Sequence, residues 1–516
     1  MKTFLSLLLL IFFIGSSAQQ KLPGVFKDNV DVGKPKIAGS TQYDELTQIY
    51  TLKGAGYNIW FNRDEFQYLY KKIKGDFLVT ANFQLTDNAG NVHRKLGWML
   101  RESLDENAAS YNAAVHGDGL TVLQWRSLKG AFMRDPEDEI FFAKRSQHQI
   151  IQLQRIGEKL TMRVANWGEP LQDVGTTNIT GLNDSVFVGV FVSSHNPDSS
   201  VEARIWNVRY DQPVNNAYDP NPAVKAKNEN TVFGCRLETM TVDDGKRKVI
   251  RESEGRFEAP NWMPDGKKLL YNEGGSLFTI PVQGGEPEKL NTDTVSNNNN
   301  DHGISFDGKM LAISSQRAGL NGGGSTVYVL PLKGGKPKQV TQETPSYWHG
   351  WAPGSKAVAI VAQRNGSSIY NLYRADVATG KETPLTTNTS GHVDGPEYTP
   401  NGKYIYYNAN PTGTMQVWRM KPDGSGKEQI TFGADHSWFP HISPDGKWIS
   451  FISFPNSIEP NSHPSYKTVT LNIMSATGGV PKVVAYLYGG QGTINVNSWS
   501  PDSKSIAFVS NSLPKQ

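Results

Sequence analysis

One short phrase recurs six times between residues 261 and 504: an apolar residue followed within a few positions by Pro-Asp-Gly-Lys or a near copy of it. The copies begin at Trp262, Ile304, Trp351, Tyr398, Ile442 and Trp499, a spacing of about 42 to 57 residues. That is the length of one four-stranded propeller blade. A stack of such sheets leaves an unpaired edge at each end unless it closes into a ring.

The copy at Trp351 shows the grammar of a blade. Residues 357–362 (Ala-Val-Ala-Ile-Val-Ala) read as a buried strand, residues 371–376 alternate as the next, and Thr379-Gly380 turns into an outer strand ending near Leu385-Thr386. Gly284-Gly285, Gly334-Gly335, Asp423-Gly424 and Gly478-Gly479 stand at the equivalent late turn. In the repeated phrase Pro presets φ, Asp bonds its own downstream backbone and Gly accepts the left-handed conformation, so these Asp residues are turn formers rather than catalysts. The last copy leaves room for about two strands before Gln516, whereas residues 237–242 and 246–252 form a hairpin around Asp243-Asp244-Gly245. Six blades are therefore expected, the last closed by strands from both ends of the repeat region.

At 516 residues the chain is too long for one core. A net charge of +3 gives no electrostatic case for nucleic acid or an acidic membrane surface. The 50 Gly, 29 Pro and 54 aromatic residues, with few amphipathic helical runs, read as all-β. Residues 1–18 have the charge, apolar stretch and small-residue end of a signal peptide, which predicts a periplasmic or secreted protein with no membrane span after cleavage. Cys235 is the sole cysteine, so burial rather than a disulfide must hold the fold, and Cys235 itself reads as a small buried hydrophobe.

Residues 22–213 follow another pattern. Short strands are expected over 76–83, 96–101, 120–126, 149–155, 160–165, 186–192 and 203–210, forming a β-sandwich, and residues 214–230, with Pro220 and Pro222, read as a linker to a propeller over 231–516. Alternation puts Val122, Gln124 and Arg126 on one face and Leu123 and Trp125 on the other. Trp98 and Trp125 can both be core. If Trp60, Arg101, Gln124 and Arg126 instead line a concave face, they offer the aromatic surface and planar donors of carbohydrate recognition.

The phrase Ser443-Pro444-Asp445-Gly446-Lys447 and its relatives resemble the PD40 repeats of TolB-type β-propellers, over roughly residues 231–512. The resemblance implies a propeller but not one function: TolB binds periplasmic partners, oligogalacturonate lyases hold a metal through propeller histidines, and other relatives support peptidases. A Gly-x-Ser-x-Gly elbow, which the serine peptidases need, is missing. Gly97-Trp98-Met99-Leu100-Arg101, Gln124-Trp125-Arg126 and Leu153-Gln154-Arg155-Ile156-Gly157 are similar to concanavalin-like jelly rolls of the DUF1349 type, which implies a lectin-like shape.

Histidines cluster ahead of the blade phrase. His302 and His349 occupy the same place in adjacent blades, His441 lies one residue later, and His392 and His436 lie about four further upstream. The inner strands of a propeller line its channel, so these five imidazoles are candidate ligands for a divalent metal, with Asp301, Asp394 and Glu397 as neighbouring carboxylates. Trp348 and Trp438 flank them. Alternatively these rings bond backbone carbonyls and pack blades together. Long inserts around residues 454–467, with His463, and 489–495, with Gln491, are placed to cap the mouth. Two functions follow. One is an exported recognition protein that binds carbohydrate or a cell-envelope protein, with no required cofactor. The other is a metal-dependent polysaccharide-processing enzyme similar to oligogalacturonate lyase.

Overall fold

The computed structural model describes residues 24–87, 90–133, 140–211, 234–320 and 324–512. The expected signal peptide and linker lie outside these residues. Every regular element among the described residues is a β-strand.

Fourteen strands up to Asp211 form two seven-stranded sheets. One runs in the order Asp28–Val32, Phe66–Lys74, Ser185–Ser193, Lys95–Arg101, Ser110–His116, Thr121–Arg126 and Phe141–Phe142. The other runs Gln172–Asn178, Lys159–Ala165, Ile150–Ile156, Phe77–Leu85, Asn196–Asp211, Ile49–Gly56 and Ser40–Asp44. Both sheets feed one apolar core: Trp98, Leu100, Leu123, Trp125 and Val188 from the first meet Val79, Phe83, Leu153, Met162 and Ile205 from the second. The Trp98 indole N–H donates across the core to the Ile151 carbonyl at 3.0 Å, which satisfies its polar handle inside an apolar layer.

The C-terminal half is a six-bladed β-propeller. Five four-stranded sheets cover 257–289, 298–339, 346–384, 393–429 and 436–490. In the sixth, Gly234–Thr241 pairs with both Arg247–Ser253 and the C-terminal strand Ser505–Ser512, and Trp499 bridges Ile506 on its inner side. The expected closure by strands from both ends is formed. The repeated Asp residues are turn formers as the sequence indicates: Asp445 Oδ1 accepts from the Ser443 hydroxyl at 2.6 Å and the Lys447 N–H at 3.0 Å, and Asp502 repeats the arrangement with Ser500 and Lys504.

The N-terminal sheets dock on the closing blade. Gln48 pairs with both backbone groups of Val249, and Asn207 does the same for the 245–247 turn, donating to the Gly245 carbonyl and accepting from the Arg247 N–H. Gly245 sits at φ 65° with the Trp167 ring where a Cβ would stand, so both the turn and the contact require glycine. Beneath them lies Glu238, buried, holding Arg209 at 2.5 Å, Arg247 at 2.7 Å and the Ser510 hydroxyl at 2.5 Å. Burial pushes its carboxyl up, but the charges and hydrogen bonds of the two guanidiniums outweigh this and hold it well below the usual carboxylate range.

Glu238→Gln leaves two buried guanidiniums without a counter-charge, and urea unfolding is expected to lose about 3–5 kcal/mol, against no more than about 0.5 kcal/mol for Asp173→Asn in an exposed pair. A depressed carboxyl stabilises above its unfolded value of 4.5 and loses that stabilisation as pH falls. The variant's stability should therefore vary less between pH 6 and pH 3 than that of the parent.

Candidate functional site

The inner strands set the site through a repeated irregularity. Each of the first five blades has a register shift in its first strand, between Glu258 and Asn261, Asn298 and His302, Trp348 and Gly350, Asp394 and Glu397, and Trp438 and His441. A bulge bends its strand and re-aims the side chains beside it. Ala259, Gly395 and Phe439 take positive φ of 54°, 59° and 54° at these bends. Successive inner strands touch one another, so the re-aimed groups of neighbouring blades meet.

They meet on Asp394. His349 Nε2 lies 3.1 Å from its Oδ1, while His392 Nε2 and His463 Nε2 lie 3.6 and 3.7 Å from its Oδ2. Aromatic rings hold these imidazoles in place: His349 lies parallel to Phe439, His463 packs against Trp438 at 4.5 Å, and His392 sits between Tyr370 and Trp438. Burial pushes the Asp394 carboxyl up, but His349, by charge and hydrogen bond, and then His392 hold it well below the ordinary range. Burial pulls His349 down, and Asp394, with Asp301 and Glu397, more than restores it, so its pKa is raised. His463 is lowered, chiefly by burial. Burial carries Asp301 up to about 7, with Asp394 and Glu258 adding to the shift. The result is a pair, Asp394 with His349, in which each partner favours the charged form of the other, beside His463, whose burial favours its neutral form.

The other histidines serve elsewhere. His441 Nδ1 is 2.7 Å from Glu397 Oε2 and its Nε2 is 2.5 Å from the Ile494 carbonyl. Glu397 also accepts from the Ile442 N–H and the Asn497 amide, which ties the fourth, fifth and sixth blades together. His436 accepts from the Met415 N–H and faces the Ile458 carbonyl. His302 is fully buried, and burial lowers it to about 4, offset in part by the Ala259 backbone. Of the five expected metal-ligating histidines, His349 and His392 thus meet on Asp394, while His302, His436 and His441 stand apart from it. Among the described residues no three or more His, Cys, Asp or Glu side chains are arranged to hold a metal ion. Trp348 and Trp438 are buried wedges rather than exposed platforms, and the Trp348 ring fills the space a Cβ on Gly303 would need.

An open recess of about 460 Å³ lies beside the cluster, lined by Arg256, Glu258, Asn272, the Asn298–Asn300 run and Gln491. Gln491 joins the two, because its Oε1 accepts from His463 Nδ1 at 2.6 Å and from the Asn495 amide at 2.9 Å. Burial raises Glu258, and Arg256, 2.5 Å away, opposes it. Asn298 Oδ1 is buried in this wall without a hydrogen-bond partner. Sequence reading missed Arg256 and Glu258 and undervalued His463; the length of the insert that carries His463 was the available signal.

On the N-terminal sheets, Arg101, Gln124 and Arg126 do share a face, but the segment 57–64 roofs it. Both guanidiniums are spent on buried Asp64, at 2.8 Å each, and Gln124 donates to the Ile59 carbonyl at 3.4 Å. Trp60 packs inward beside Met99 and Val122. Trp98 and Trp125 are core.

Fold and site together define a propeller protein with a buried polar ring at the mouth and an open polar recess next to it. Comparison with known proteins gives the family: the TolB beta propeller domain matches residues 348–479. An uncharacterized protein of Agrobacterium fabrum is 41% identical over 274 residues, covering 53% of this chain and 91% of that relative. A solved structure from Agrobacterium tumefaciens described as a TolB candidate is 40% identical with a TM-score of 0.51, covering 55% of this chain and 99% of that one. The Tol-Pal system protein TolB of Francisella tularensis is 25% identical over 241 residues, and the match spans 45% of this chain and 54% of that protein's length. The chain belongs to the TolB-type β-propeller family.

The ion pair makes a spectroscopic prediction. With histidine Cε1 labelled and followed by NMR, Asp394→Asn removes the leading raising influence on His349 and leaves burial dominant, so the His349 midpoint should fall. An unchanged midpoint would show that Asp394 does not hold this ring.

Proposed function

We propose that this protein is an exported recognition protein of the cell envelope, periplasmic or secreted, and that the propeller recess beside Asp394 receives a polypeptide partner. The observation that carries this reading is the recess: about 460 Å³, open, and walled by the side-chain amides of Asn272, Asn298, Asn299, Asn300 and Gln491 beside the Arg256–Glu258 pair. Side-chain amides present a donor and an acceptor together, the same pair a peptide backbone presents in return. The Francisella relative is named as part of a Tol-Pal system, and that assembly context favours a protein loop over a free metabolite.

The metal-dependent polysaccharide-processing alternative keeps only His349 and His392 of its five rings at Asp394, and His302, His436 and His441 lie apart from them. The concanavalin-like reading of the N-terminal sheets needs a sugar to bind outside the roofed face.

A photo-crosslinking residue at Asn299, in cells that make the protein, is expected to capture a discrete envelope protein. The same residue at Lys403, beyond the far end of an inner strand, should not. Glu258→Ala in the Asn299 background should reduce the adduct by about tenfold, the loss of roughly one charge-assisted hydrogen bond. Equal adducts from both positions, or a yield indifferent to Glu258, would sink the proposal.

A further inference from the structure

We propose that the loop rim of the N-terminal sheets carries a saccharide-stacking platform built from Tyr57, Phe61 and Phe132. Phe61 is 46% and Phe132 55% exposed, although both belong to a residue type that is ordinarily buried. Their rings meet edge to face at 6.2 Å, and Phe61 lies within 10° of parallel to Tyr57 at 6.4 Å. Arg63 covers the Tyr57 ring at 4.4 Å.

The rings are held rigidly from below. Arg126 donates to the Phe61 carbonyl, to the Ala131 carbonyl at 2.7 Å and to both oxygens of Asp64. Asp64 also takes Arg101, which reaches the Asp105 carbonyl at 2.6 Å. One buried Arg-Asp-Arg group therefore ties the segments carrying Phe61, Asp105 and Phe132 to one another. Buried ion groups of this kind contribute little net stability and serve better as positioning devices. What they position here is two exposed phenyl rings, and a surface ordered in advance loses less entropy when a ligand binds.

The occupant follows from size and charge. A protein partner would bury about 800 Å² of this surface, whereas two half-exposed phenyl rings offer on the order of 200 Å². An anionic lipid surface needs unpaired basic groups, but Arg63 is paired with Glu65 and Lys129 with Asp105, at 2.6 Å each. A pyranose fits both limits. Its apolar C–H face covers one ring, and its hydroxyls reach the charged pairs at the rim, where ionised groups make the stronger hydrogen bonds. This platform is remote in sequence from the propeller recess and does not rest on the recess reading, so each can fail alone.

The test titrates the full chain by calorimetry with cellohexaose, laminarihexaose, mannohexaose and chitohexaose. Vesicles of phosphatidylglycerol with phosphatidylethanolamine and sedimentation of the protein alone run in parallel. At least one hexasaccharide should bind with Kd below about 1 mM. The double variant Phe61→Ala with Phe132→Ala should weaken that binding at least about tenfold, with the unfolding midpoint unchanged because both rings are exposed. Phe61→Trp should retain binding, and Phe142→Ala, an exposed ring on an edge strand, should leave it intact. Failure of all four sugars to bind, or binding indifferent to the double variant, overturns the proposal. So does a loss confined to vesicle binding or to self-association, which would assign the rings to a lipid or to a second copy of the chain.

Discussion

Glu238 stands where three distant parts of the chain meet. Arg209 closes the last N-terminal strand, Arg247 belongs to the hairpin that completes the sixth blade, and Ser510 lies on the C-terminal strand. A propeller is as strong as its seam, because inner strands that converge on an axis lose their mutual support if one blade opens. Here the seam carries a fully desolvated carboxylate that cannot leave its two guanidiniums without exposing all three charges to an apolar wall. The same contact fixes the N-terminal sheets on the seam, so ring closure and docking depend on one charge balance. Asn207 and Gln48 then fix the register of that docking through backbone groups alone.

Closure gives the inner strands their shared geometry, and the bulges turn that geometry into chemistry. A regular inner strand would alternate its side chains between its two faces. One extra residue in four of the five blades, and two in the blade of His302, interrupt the ladder at the same place, and polar groups that would otherwise be separated come together. Bringing charges into a protein interior is costly unless they compensate one another. The cluster answers in two ways, by pairing Asp394 with His349 and by burial that shifts Asp301 and His463 toward their neutral forms.

Much of the scaffold was legible because it repeats. Six phrases gave six blades, the turn Asp residues proved structural, and the alternation of Leu123 and Trp125 against Val122 and Gln124 separates side chains of the inter-sheet core from those on the opposite face, where Val122 is buried as well. Two of the strands that escaped reading lack alternation. Ser110–His116 is buried along its whole length and built largely from small residues, and Phe66–Lys74 is buried over its first five. Two-face burial removes the period-two signal on which a strand is recognised. The sites escaped for a different reason. Spacing within a blade can place His302 and His349 at equivalent positions, yet whether a ring meets a carboxylate, a carbonyl or only apolar neighbours depends on the next blade. Likewise Arg101, Gln124 and Arg126 were placed on their common face, but Asp64, which occupies the guanidiniums, lies at least 37 residues away from either and carries no pattern of its own.

The division of labour between repeat and insert follows from these constraints. Residues inside the repeated phrase are committed to turns and to blade packing, so altering one disturbs a structure used six times. Inserts carry no such debt. His463 stands on the loop after Trp448–Phe454 and Gln491 just past the end of Lys482–Gly490, both outside the phrase, and together they connect the Asp394 cluster to the open recess. In the N-terminal sheets the exposed rings also lie outside the strands, on segments anchored by side chains from within them. In both halves a regular framework supplies rigid charge-bearing anchors, and the irregular segments those anchors hold in place carry His463 and Gln491 in one half and Phe61 and Phe132 in the other.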